Sequence, residues 1–135
     1  MKLLTRDMLL AKQKLRIERV DLGNDEYVYV REMTGQDRDR FDQMLMTIKN
    51  DGSGEKVVRS LDDFRAKLAV CTICDEEGNL LLKPEDYQAL SKNISAARLD
   101  KIVTVAQELS KISEQDVNDM LKNSSDALNE DSISG

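Results

Sequence analysis

Both cysteines of the chain, Cys71 and Cys74, stand at the C-x-x-C spacing, and the acidic run Asp75, Glu76, Glu77, Gly78, Asn79 follows at once. Such a pair can be half of a zinc site, a dithiol redox centre, or two small residues in a core. A structural zinc site needs four ligands, and here there is no second cysteine pair and no His to complete a tetrahedron. A reactive dithiol sits at a helix N-terminus, where the dipole and free N–H groups favour the thiolate. The run SLDDFRAKLAVCTIC places this pair at the C-terminal end of an apolar helix, where both effects oppose it. Core packing is therefore the expected role, since free Cys is among the most buried residue types.

The acidic run also imitates a calcium loop, with Asp75, Glu77 and Asn79 at positions one, three and five. The sixth position needs Gly for its sharp turn and has Leu80, and the twelfth needs Glu and has Asp86. Absence of His removes the commonest general base as well as the commonest metal ligand. No nucleophile elbow, P-loop or dinucleotide fingerprint occurs. Paired carboxylates such as Asp62 with Asp63 read as a solvated helix face. The expectation is a protein that is not an enzyme and carries no cofactor and no metal.

The elements that would position these residues are mostly helical. Thr5 caps a short amphipathic helix in TRDMLLAKQ, ending near Lys14, with Asp7 in its first turn. LRIERVDL and EYVYVREM, on either side of Gly23, Asn24 and Asp25, read as a β-hairpin. In its first strand Leu15 and Ile17 fall on one face and Val20 and Leu22 on the other, which calls for a bulge near Glu18 or Arg19. Val28 and Val30 should face helices, because a lone hairpin is marginal in water.

Thr34, with Asp37 three residues on, caps a helix whose stripe is Phe41, Met44, Leu45 and Ile48. Asn50 to Lys56 reads as a flexible polar loop. Ser60 with Asp63 caps the central core helix, on which Leu61, Phe64, Leu68 and Cys71 form a stripe and almost every position from Leu68 to Cys74 is apolar. Leu80 to Leu82 return to the core after Gly78 or Asn79 turns the chain. Pro84 opens a short helix in PEDYQALSK. A long helix then carries Leu99, Ile102, Val103, Ala106, Leu109 and Ile112 on one stripe. Ser113 with Asp116 caps a last helix with Val117, Met120 and Leu121 on its apolar edge. The fold class expected is α+β: a mostly α-helical single domain over residues 1–122 with one small N-terminal antiparallel β-hairpin, followed by a flexible acidic tail over 123–135.

Composition narrows the partners. The 135 residues suit one domain, and a chain of this size buries about two thirds of the surface it exposes when unfolded. With 20 basic and 26 acidic residues the net charge is -6, and the basic residues do not cluster, so nucleic acid is disfavoured. No apolar run approaches the ~20 residues of a membrane helix and MKLLTRDMLLAKQ is not a signal peptide, so the reading is of a soluble intracellular protein. Leu3, Leu4, Met8, Leu9 and Leu10 have no sequence neighbour to cover them and are candidates for contact with another chain. Met44 joins them, because flexible methionine suits adaptable surfaces, although core filling is the expected role of at least half of Met8, Met33, Met44, Met46 and Met120.

In order along the chain, LLTRDMLLA, VYVREMTGQDRDRFD, AVCTICDEEGNLLL with PEDYQAL, SAARLDKIVTVAQELSKIS and QDVNDMLKNSSDAL together resemble the tail assembly chaperones of long-tailed, lambda-like bacteriophages. The most telling phrase is R-E-L-T-G-x-x-R-x-x-F, here Arg31 to Phe41 with Met33 in place of Leu. The resemblance implies a protein of the host bacterial cytoplasm that binds the tape measure protein, promotes tail tube assembly and is absent from the mature virion. It implies a homo-oligomer, and a longer form made by ribosomal frameshifting that recruits the tail tube protein. Two readings of other kinds stay open beside it: a dithiol or metal-dependent regulatory protein using Cys71 and Cys74, and a bacterial anti-toxin or adaptor of unknown partner.

Overall fold

A computed structural model describes residues 1–50, 52–112, 116 and 119. Its elements are α1 (Arg6–Leu10), β1 (Ile17–Gly23), β2 (Glu26–Arg31), α2 (Gly35–Met44), β3 (Met46–Asn50), β4 (Glu55–Arg59), α3 (Phe64–Val70), β5 (Ile73–Cys74), a 3₁₀ turn (Pro84–Asp86), α4 (Tyr87–Asn93) and α5 (Ala96–Leu109). The strands form two sheets, a three-stranded antiparallel sheet ordered β1-β2-β5 and a separate two-stranded sheet β3-β4. This corrects the expectation of a mostly helical domain with one small hairpin: the class is mixed α+β, and strand structure recurs after α2 and after α3. The last helix expected from Ser113, with Val117, Met120 and Leu121, and the tail over 123–135 lie outside the described residues.

The first hairpin turns through Asn24 and Asp25, both at positive φ (55° and 59°), so its connection is two residues rather than three. Pairing runs unbroken from Ile17 with Arg31 to Asp21 with Tyr27, and the register shifts only between Asp21 and Gly23. There is thus no bulge at Glu18 or Arg19. Val20, Val28 and Val30 face inward, and Ile17 stays on the outer face, where Gly78 covers it. A Cβ on Gly78 would sit 3.2 Å from Ile17 Cδ1, and its φ of +90° strains any other residue.

α5 lies on the inner face of β1 and β2, and α3 packs against α5 and α4. All six residues of the expected stripe, Leu99, Ile102, Val103, Ala106, Leu109 and Ile112, are buried and join Val20, Val30, Phe41, Leu45 and Leu68 in one core, but α5 ends at Leu109 and Ile112 reaches the core after Lys111 turns the chain at φ 58°. α2 is closed at its start by a reciprocal cap: Asp37 N–H donates to Thr34 Oγ1 at 3.1 Å and Thr34 N–H donates to Asp37 Oδ2 at 3.0 Å.

α2 stops at Met44, and the β-branched pairs Thr47 with Val58 and Ile48 with Val57 zip the second hairpin instead. Ile48, expected on the helix stripe, is 67% exposed. At the base of this hairpin, Ser60 N–H donates to Leu45 C=O at 2.7 Å, so the chain leaves the body and returns to it at one point.

Candidate functional site

Cys71 is the C-cap of α3 and Cys74 belongs to β5, so the pair straddles a helix-to-strand joint and not two turns of one helix. All residues from Ala66 to Cys74 are buried. Thr72, between the cysteines, satisfies its hydroxyl on Leu68 C=O at 2.9 Å. Cys71 Sγ meets Met44 Sδ at 3.8 Å, and both thiols are free. Burial, seconded by the Asp37 carboxylate, pushes the Cys71 thiol from 9.0 to about 11, and burial also raises Cys74.

Because the Cys71 shift is upward, the stability it represents is whole below pH 9 and is lost as the pH rises from 9 towards about 11. At pH 8 its thiolate fraction is about a hundredfold below that of the unfolded chain. Iodoacetamide is therefore expected to leave both thiols of the native protein unmodified at pH 8 while labelling both in urea, read by mass spectrometry. Rapid labelling of the native protein would instead place a usable thiolate here.

The acidic loop spends its leading carboxylate on its own backbone. Asp75 Oδ1 accepts the N–H groups of Asn79 at 2.9 Å and Glu77 at 2.8 Å, and these bonds lower its pKa, that from Asn79 most. Among the described residues no three His, Cys, Asp or Glu side chains group so as to hold a metal ion. Arg31 ties the loop down by donating from Nη1 to Gly78 C=O at 2.7 Å, while its Nη2 pairs with Asp37. The phrase from Arg31 to Phe41 thus joins the central strand, the start of α2 and the acidic loop.

α1 has a cap at its start, Met8 N–H donating to Thr5 Oγ1 at 3.3 Å, and ends at Leu10, short of the expected Lys14. None of its residues is buried. Leu3, Leu4, Met8, Leu9 and Leu10 are all exposed, Leu3 at 95% and Leu10 at 68%. Just after the helix, Lys12 and Lys14 line a hollow shared with Glu76 and Glu77. Met44 is placed apart from these residues, half-buried against the core beside Cys71.

Two further features escaped the sequence reading. Helices α3, α4 and α5 enclose an open groove of about 580 Å³ floored by Phe64, Ile94, Leu99 and Val103. On its rim Asp63, with φ +56°, makes no side-chain cap to α3 and accepts from Ser91 Oγ at 2.7 Å instead. The second feature is the outward face of β3 and β4, where Met46, Ile48 and Val57 are exposed. Its signal was present as two β-branched runs around Asn50 to Gly54.

No helix among the described residues is long and apolar enough to cross a membrane. No family model matches the chain, and no curated protein or solved structure is significantly similar to it.

Proposed function

We propose that the chain is a tail assembly chaperone of a long-tailed bacteriophage, which binds the tape measure protein in the host bacterial cytoplasm and does not enter the mature virion. The observation that carries this reading is α1. A helix of five residues cannot hold itself together in water, where isolated helices below about 12–15 residues are marginal. Yet it is capped at its start and turns its leucines and Met8 outward. Surface of that kind is suited to an apolar helix of another protein, laid alongside it through residues three and four apart. The resemblance carried by Arg31 to Phe41 and by the order of the other elements supplies the identity of that helix. Coating a long tape measure protein then follows from several weak contacts repeated along a homo-oligomer. A frameshifted longer form would bring the tail tube protein to the same assembly.

Size-exclusion chromatography with light scattering, on the protein alone and with helical tape measure fragments, tests the reading. Co-elution is expected, and Leu9→Asp with Leu10→Asp should weaken it at least tenfold while leaving the melting temperature within a few degrees, since both sites are exposed. A strict monomer with no affinity for any fragment would overturn it. Buried thiols of raised pKa give the dithiol or metal-dependent reading no comparable support.

A further inference from the structure

The β3-β4 sheet has only two strands, and no described strand pairs with the outer edge of either. Unpaired edges are templates for another strand, and two-stranded sheets are marginal unless something joins them. The inward face, with Thr47 and Val58, is half-buried, but the outward face shows Ile48 at 67% and Val57 at 70%, directly opposite each other in the ladder.

β4 reads Glu55-Lys56-Val57-Val58-Arg59. Laid antiparallel against an identical strand with Val57 at the centre, it sets Glu55 opposite Arg59 at one end and Arg59 opposite Glu55 at the other. Opposite charges facing across strands stabilise a pair, and like charges destabilise it. β3, Met46-Thr47-Ile48-Lys49-Asn50, brings no such charge match when laid against itself about Ile48. A two-fold contact must be self-complementary, and of the two edges β4 meets that condition.

We propose that β4 pairs edge to edge with β4 of a second copy about a two-fold axis through Val57, giving a four-stranded sheet ordered β3-β4-β4-β3. In this register Ile48 and Val57 of each copy form one continuous apolar row across the outward face. The pairing involves few residues, well below the about 1,200–2,000 Å² buried by stable complexes, so the dimer is concentration-dependent. It leaves α1 free. The proposal refines the oligomer invoked under the proposed function but rests on the hairpin alone, and dimerisation itself is measured without any tape measure protein.

Sedimentation equilibrium over a concentration series supplies the test. Glu55→Arg sets Arg against Arg, and Arg59→Glu sets Glu against Glu, at both ends of the dyad. Each is expected to weaken dimerisation about tenfold or more. The double variant carrying E55R and R59E restores opposite charges and should return within about threefold of the parent. Circular dichroism checks that each variant is folded, and Val57→Cys adds an independent readout: a disulfide-linked dimer forming under mild oxidation. A parent that stays monomeric, single variants that dimerise as the parent does, or a double variant as weak as the singles would overturn the pairing. Single variants that dimerise normally but lose tape measure fragments would assign this edge to the tape measure protein, ending this proposal while leaving the chaperone reading intact.

Discussion

Asp37→Ala is expected to lower folding stability by about 3–5 kcal/mol, the usual cost of removing one partner from a buried ion pair. The side chains of Asp37 and Arg31 are 7% and 13% exposed. Asp37 Oδ2 takes both the Arg31 guanidinium and the Thr34 N–H, so the substitution leaves a cation stranded and opens the start of α2 together. Arg31 has little to fall back on: its Nε is buried without a partner, and Nη1 is already engaged by Gly78. Urea denaturation followed by circular dichroism should show the midpoint fall by about 2 M for a slope near 2 kcal/mol/M. Replacing the pair, as Arg31→Met with Asp37→Leu, should recover part of the loss, because an apolar pair strands no charge; the uncapped Thr34 N–H keeps recovery incomplete. A loss below about 1 kcal/mol for Asp37→Ala would show that the pair does not carry this joint.

Phe41→Ala should cost a similar amount, about 3–5 kcal/mol, by opening a cavity at the centre of the core. The side chain is 0% exposed and meets Phe64 edge to face, with ring centroids 5.4 Å apart and planes at 71°. That contact fastens α2 to α3, and an aromatic pair adds about 0.5–1.5 kcal/mol beyond its area. Total stability in domains of this kind is about 5–15 kcal/mol, so the variant should melt well below the parent by calorimetry. Phe41→Leu, which keeps most of the volume, should lose much less, and Phe64→Ala less than Phe41→Ala because Phe64 is half-buried at the groove. Equal losses at Phe41 and Phe64 would contradict this placement of the core.

What could be read in advance was whatever physics is local. Thr5 and Thr34 announce their helices because a cap and its third neighbour are close in sequence, and the stripe from Leu99 to Ile112 announces α5 because helical spacing repeats for four turns. β5 was not legible: two residues, Ile73 and Cys74, carry no period, and only pairing with Val30 and Tyr29 makes them a strand. β3 was hidden by a coincidence, since Ile48 falls at a helical interval from Phe41, Met44 and Leu45. Nor could Ile17 reveal that its cover is Gly78, from a loop far along the chain. Of the candidate contact residues, the leucines and Met8 of the first segment are exposed as a contact face requires. Met44 could not be sorted by sequence, because the same flexible side chain serves a surface and a gap beside Cys71 equally well.

The bond between Ser60 and Leu45 gives β3 and β4 the character of an inserted module. Where chain departs and re-enters at one hydrogen-bonded point, closing a longer flexible excursion costs only a logarithm in entropy. The body made by α2, α3, α5 and the three-stranded sheet meets the hairpin through α2, and Thr47 and Val58 on the hairpin's inward face are half-buried. A longer or shorter tip between Asn50 and Glu55 would therefore leave the Leu45–Ser60 closure, and the core behind it, in place.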